Sequence, residues 1–161
     1  MAFNGRIETV KADDLASFST LPLYSTGLKY SQSGNEYSYV YATAALATGK
    51  YCVIETTGTS LTSGYTMSQS NASLNGWMAG VPQSTIPAST YGWIMTNGVS
   101  LIAPDSGEVS AAPGVDLSLG TNGGFIAALS TFTTAPRFAV TINSFITTVG
   151  TSKARIFGSI L

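Results

Sequence analysis

Apolar and polar residues alternate in short runs along most of this chain. From Tyr37 the rings of Tyr37, Tyr39 and Tyr41 fall on one face and Ser38, Val40 and Ala42 on the other, the period of two that marks a strand. Thr48-Gly49-Lys50 supplies a turn, and YCVIET (51–56) reads as a second strand with Tyr51 and Val53 turned inward. Pro82 and Pro87 fix an extended crossover; beyond it GWIMT and VSLIA flank Asn97-Gly98, which predicts a two-residue hairpin loop. Further short runs at 115–119, 124–130, 137–142, 145–149 and 154–161 are separated by Gly, Pro and Asn. Strands repeated at this short spacing indicate a sandwich or barrel. The expected fold is all-β: a compact antiparallel β-barrel or sandwich, jelly-roll-like, with an extended N-terminal arm.

Residues 1–34 break the pattern, because their apolar positions follow neither a strand nor a helix period. They read as an extended arm, with Ser31-Gln32-Ser33-Gly34-Asn35 as a polar hinge and residues 35–161 as the β domain. Asp13 or Asp14 can cap one helical turn through Leu15 and Phe18, and Pro22 stops anything longer. An unpatterned apolar arm calls for a groove on a sister subunit or a larger assembly. The expected partner-binding residues are therefore Phe3, Ile7, Leu15, Phe18, Leu21, Leu23 and Tyr24 of the arm. Trp77, beside Met78 at the edge of a long polar excursion over 57–76, joins them as an interface anchor. On this reading, deleting residues 1–28 leaves a folded β domain and weakens attachment.

Composition reinforces the β reading and removes other functions. Of the 161 residues about a quarter are Ser or Thr, 17 are Gly and only 9% are charged, with a net charge of -1. The chain has no His and one Cys, so Ser/His/Asp and Cys/His catalysis are excluded. Cys52 sits in an apolar run and reads as a small buried hydrophobe. The seven Lys and Arg are scattered singly, which argues against nucleic-acid binding. No run of signal-peptide or membrane-spanning length occurs, so no membrane partner is expected.

Candidate chemistry is thin. Asp105 and Glu108 lie in APDSGEVS, where Pro104-Asp105-Ser106-Gly107 reads as a solvated turn. TNGGF (121–125) lacks the Lys and helix of a phosphate loop. A hydrolase would need Glu36, Glu55 or Asp116 to converge. No catalytic residue, metal or cofactor is expected. Trp93 reads as core, whereas Tyr65, Trp77 and Tyr91 could form a sugar-stacking platform. Few charges lower the desolvation cost of large contacts, so the surface suits docking on other protein.

The stretches YVYATAALATGKYCVIE (39–55), IPASTYGWIMTNGVSLIA (86–103) and GTNGGFIAALS (120–130) resemble the small head-decoration, or cement, proteins of tailed bacteriophages. The shared pattern is an aromatic strand leading into Ala-Thr-Ala and a Gly turn, then Tyr-Gly-Trp with a Gly-Val exit, over about two thirds of the chain. The resemblance implies a trimeric β knob on the outer surface of a virion, clamping neighbouring copies of the major capsid protein, with no catalytic residue. The alternative is a carbohydrate- or receptor-binding tip module of a phage fibre. Such a module usually ends a long shaft, whereas this chain runs from Met1 to Leu161.

Overall fold

The structure, a computed structural model, describes residues 9–54, 66–69, 78–105, 112–120, 124–127, 139–142 and 152–156. Eleven strands occur among them: β1 (Phe18–Ser19), β2 (Lys29–Gln32), β3 (Asn35–Ala42), β4 (Cys52–Ile54), β5 (Thr66–Gln69), β6 (Met78–Pro82), β7 (Thr90–Ile102), β8 (Asp116–Leu119), β9 (Phe125–Ala127), β10 (Ala139–Thr141) and β11 (Ser152–Ile156). They pair along the path β2-β3-β5-β4-β6-β7-β11-β10-β8-β9, with β3 also paired to β7 and β1 joined to β7 from the side. Among the described residues the path ends at β2 and β9, which do not pair, so the sheet as a whole does not close. Among the described strands all pairings are antiparallel except β3 with β5. The result is the all-β, sandwich-like fold that the alternating pattern predicts.

Strand β7 belongs to both layers. Residues 90–97 pair with β3, Ile94 and Met95 pair with β6, and residues 98–102 pair with β11. Asn97-Gly98 therefore does not make the expected hairpin. A two-residue loop of that kind needs positive φ at both residues. Here Gly98 has φ +120°, and Asn97 is not among the residues with positive φ. Thr96 is an extra residue opposite the Glu36/Tyr37 step, and its hydroxyl donates to the Glu36 carbonyl at 3.3 Å. The Val99 amide donates to Asn35 Oδ1 at 2.9 Å. A Cβ on Gly98 would lie 2.9 Å from Asn35 Cα, so only glycine fits this β-bulge, where the strand leaves one layer for the next.

The hairpin turn lies instead in the expected hinge. Ser33 (φ 52°) and Gly34 (φ 79°) connect β2 to β3, with Gln32 facing Asn35 in register. The polar run over 31–35 thus joins two strands of one sheet. Part of the polar excursion over 57–76 is also strand, since β5 lies between β3 and β4.

Alternation along the strands divides the interior in two. Tyr37, Tyr39, Tyr51, Val53, Trp93 and Met95 face a large cluster that continues over the inner side of the second layer through Ile102, Leu117, Phe125 and Ile156. Val40, Cys52 and Ile94 point the other way, into a second cluster with Leu46 and Ile86. Leu46 and Ile86 exchange backbone hydrogen bonds of 2.9 and 3.0 Å that close this side.

The described part of the N-terminal arm packs on this sheet. Residues 12–16 form a 3-10 turn whose Leu15 is only 7% exposed and belongs to the large cluster. The Lys11 amide and the Tyr24 hydroxyl both donate to Asp14 Oδ2 at 2.8 Å, tying the turn to the strap that follows. β1 lays Phe18 and Ser19 against Gly92 and Tyr91 of β7. The Leu23 amide donates to the Tyr39 hydroxyl at 3.2 Å. Residues 9–28 are thus a strap on the protein's own sheet rather than an arm extended away from it, and they supply part of the core.

Two outcomes follow from the strap. Leu15→Ala should cost about 2–3 kcal/mol, and deletion of residues 1–28 should lower stability further; urea unfolding followed by circular dichroism measures both, and a truncation as stable as the full chain would contradict the packing. The hydrogen bond from the Lys11 amide, then that from the Tyr24 hydroxyl, holds the Asp14 carboxyl below its ordinary value of 3.8. A depressed carboxyl stabilises the fold above the unfolded-state value and loses that contribution as pH falls through the folded one. Asp14→Asn should accordingly be less stable than the parent at pH 6, with the gap narrowing at pH 3; an equal gap at both would count against the charge.

Candidate docking surface

Where the strap crosses the sheet, six aromatic side chains meet. Tyr24 lies edge-on to Tyr39 with ring centroids 5.1 Å apart and is 5.5 Å from Trp93. Tyr39 is 5.1 Å from Trp93 and stacks on Tyr91 at 6.0 Å, while Tyr41 and Tyr30 extend the group. The period of two in β3 and its register with β7 explain this, because Tyr39 faces Trp93 and Tyr41 faces Tyr91 directly. A cleft lies between strap and sheet, walled by Asp14, Phe18, Leu23, Tyr24 and Trp93.

The expected contact residues divide by role. Leu15 and Tyr24 are used inside the protein, as core and as part of the aromatic group. Phe18 is 54% exposed, Leu21 69% and Leu23 51%, so these three form an apolar surface on the strap, joined by Leu28. Phe3, Ile7 and Trp77 lie outside the described residues, as do Tyr65 and Glu55. Tyr91, the described member of the expected sugar platform, is half-buried between Tyr39 and Tyr41.

A second apolar surface was not anticipated. On the second layer Leu101 faces Lys153 and Val99 faces Arg155, all four exposed, while Ser100, Ile102, Ala154 and Ile156 are buried beneath them. Ile142, whose amide donates to the Lys153 carbonyl at 2.9 Å, is exposed beside them. Val140 and then Asp116 continue the Arg155 row. The signal was available: VSLI places aliphatic residues at both parities of one strand, and KARI alternates cation with apolar residue. Recognising the surface requires the pairing of β7 with β11, which joins segments about fifty residues apart.

The other described candidate groups are Cys52, Asp105, Glu36 and Asp116. Cys52 is fully buried, its thiol donates to the Gly80 carbonyl at 3.3 Å, and burial pushes that thiol up to about 12, so it stays protonated. Asp105, expected to be solvated, is only 6% exposed, and Ser106, Gly107 and Glu108 of the expected turn lie outside the described residues. The Asp105 amide donates to the Phe125 carbonyl at 3.0 Å, and Gly120 and Gly124 pack so closely on Asp105 that a Cβ on Gly120 would lie 2.5 Å from its carboxyl carbon. The glycines near TNGGF thus make room for Asp105, and Phe125–Ala127 continues as strand β9, as expected. Glu36 and Asp116 stand on different layers. No three His, Cys, Asp or Glu side chains gather among the described residues, and no helix among them is long and apolar enough to cross a membrane.

No protein-family model and no curated protein matches the chain. Among solved structures it is similar to the head fiber gp8.5 N base in bacteriophage phi29, with a TM-score of 0.52 and 10% sequence identity over 78% of this chain and 96% of that one. At that identity the likeness establishes the fold: an all-β architecture shared with nearly the whole of the head fiber base.

Proposed function

We propose that this protein is a structural virion protein, which decorates the outside of a phage head and clamps neighbouring copies of the major capsid protein. The observation that carries the reading is the fold shared with 96% of a head fiber base, reached independently of the sequence pattern that resembles head-decoration proteins. Two exposed apolar surfaces in a chain with only 9% charged residues fit a protein whose work is docking. The partners in this reading are the capsid shell and sister subunits in a homotrimer. Linked subunits bind with far greater avidity than one, so modest contacts per subunit suffice.

A second reading follows from the same neighbour, since its name is that of a head fiber: the chain would be a carbohydrate- or receptor-binding tip module of a phage fibre, which meets the host rather than the head. Co-sedimentation of the purified protein with mature heads and with unexpanded precursor shells separates the readings. Saturable binding to mature heads, with a defined number of copies per head, is expected for a decoration protein. Absence of head binding together with retention on host-surface glycans would overturn it in favour of a receptor-binding module.

A further inference from the structure

The large exposed hydrophobic side chains among the described residues fall into two groups. Phe18, Leu21, Leu23 and Leu28 lie on the strap, and Val99, Leu101 and Ile142 lie on the outer face of the second layer. Both groups are anchored to β7, but far apart along it: Phe18 pairs at Gly92, and the outer face begins at Val99. Seven residues of strand span on the order of 20 Å, so one copy's strap does not cover its own outer face.

Their charges differ as well. Residues 17–28 carry no charge, and the charges that flank them, Lys11, Asp13 and Asp14 before and Lys29 after, cancel. The outer face carries Lys153 and Arg155 directly beside Leu101 and Val99. Face-to-face pairing of two copies would bring four cations together, which like-charge repulsion opposes. Strap-to-face pairing sets the uncharged aliphatics of a charge-balanced strap against the aliphatics of the face and avoids that repulsion.

From this we infer that the outer face of β7 and β11 receives the strap of a second copy, in a head-to-tail contact. Such a contact uses two different patches per subunit and closes into a ring when the rotation allows. The inference deepens the homotrimer reading above by naming its surfaces, and it stands or falls on mass in solution, independently of any binding to heads.

The test uses the full chain and two variants at exposed positions, Leu21→Lys on the strap and Leu101→Lys on the face, with mass measured by light scattering. The parent should run as a closed oligomer of three copies, and each variant should fall to monomer mass at the same concentration. Mixing the two variants should then produce a one-to-one dimer, because one intact strap still meets one intact face. Circular dichroism checks folding, and Leu101→Thr replaces the lysine variant should its β signal drop. A monomeric parent, an oligomer that survives either variant, or a mixture that remains monomeric would each overturn the inference. Head co-sedimentation of the same samples reads the proposed function separately.

Discussion

Backbone hydrogen bonds along β7 connect the two layers, and the rest of the structure depends on their changing partner in mid-strand. Up to Asn97 the strand is held by β3 and β6; from Gly98 it is held by β11. A strand that changes sheets must turn without leaving amides unpaired, because a buried unpaired backbone group is costly. Gly98 provides the turn through its positive φ, and Asn35 supplies the missing acceptor by taking the Val99 amide. The bulge at Thr96 absorbs the extra residue. The large cluster, which combines Trp93 and Met95 with Ile102 of the same strand, exists because β7 makes this passage.

Local alternation was readable from the sequence, and long-range pairing was not. Tyr37, Tyr39, Tyr51 and Val53 face the cluster that their spacing implies, and Cys52 is buried on the opposite side. Asn97-Gly98 misled because the dipeptide is compatible with both a reversal and a bulge, and the choice rests on partners distant in sequence. Ser33-Gly34 was the converse case: its flanking polar residues concealed a turn between paired strands. The strap carries no period because its residues serve unlike ends. Leu15 fills the core, Tyr24 packs on Tyr39 and Trp93, and Leu21 faces outward. Asp105 went unrecognised as buried because the glycines that make room for it lie at 120 and 124.

Low charge has a consistent physical meaning in this molecule. Stability comes from aromatic and aliphatic packing and from backbone pairing, while polar side chains such as Asn35, Gln83 and Thr141 satisfy amides at strand junctions. Among the described residues the surface carries few ions and two apolar areas, a combination that favours wide contacts.

Hydrogen exchange of the β7 amides in the parent and in Gly98→Ala tests the central claim, that one strand unites both layers. The account predicts that residues on either side of position 98 are the slowest to exchange in the parent and open together. In the variant, protection should fall in both layers. Second-layer strands that kept full protection while the first layer opened would show that the layers are independent, and would contradict it.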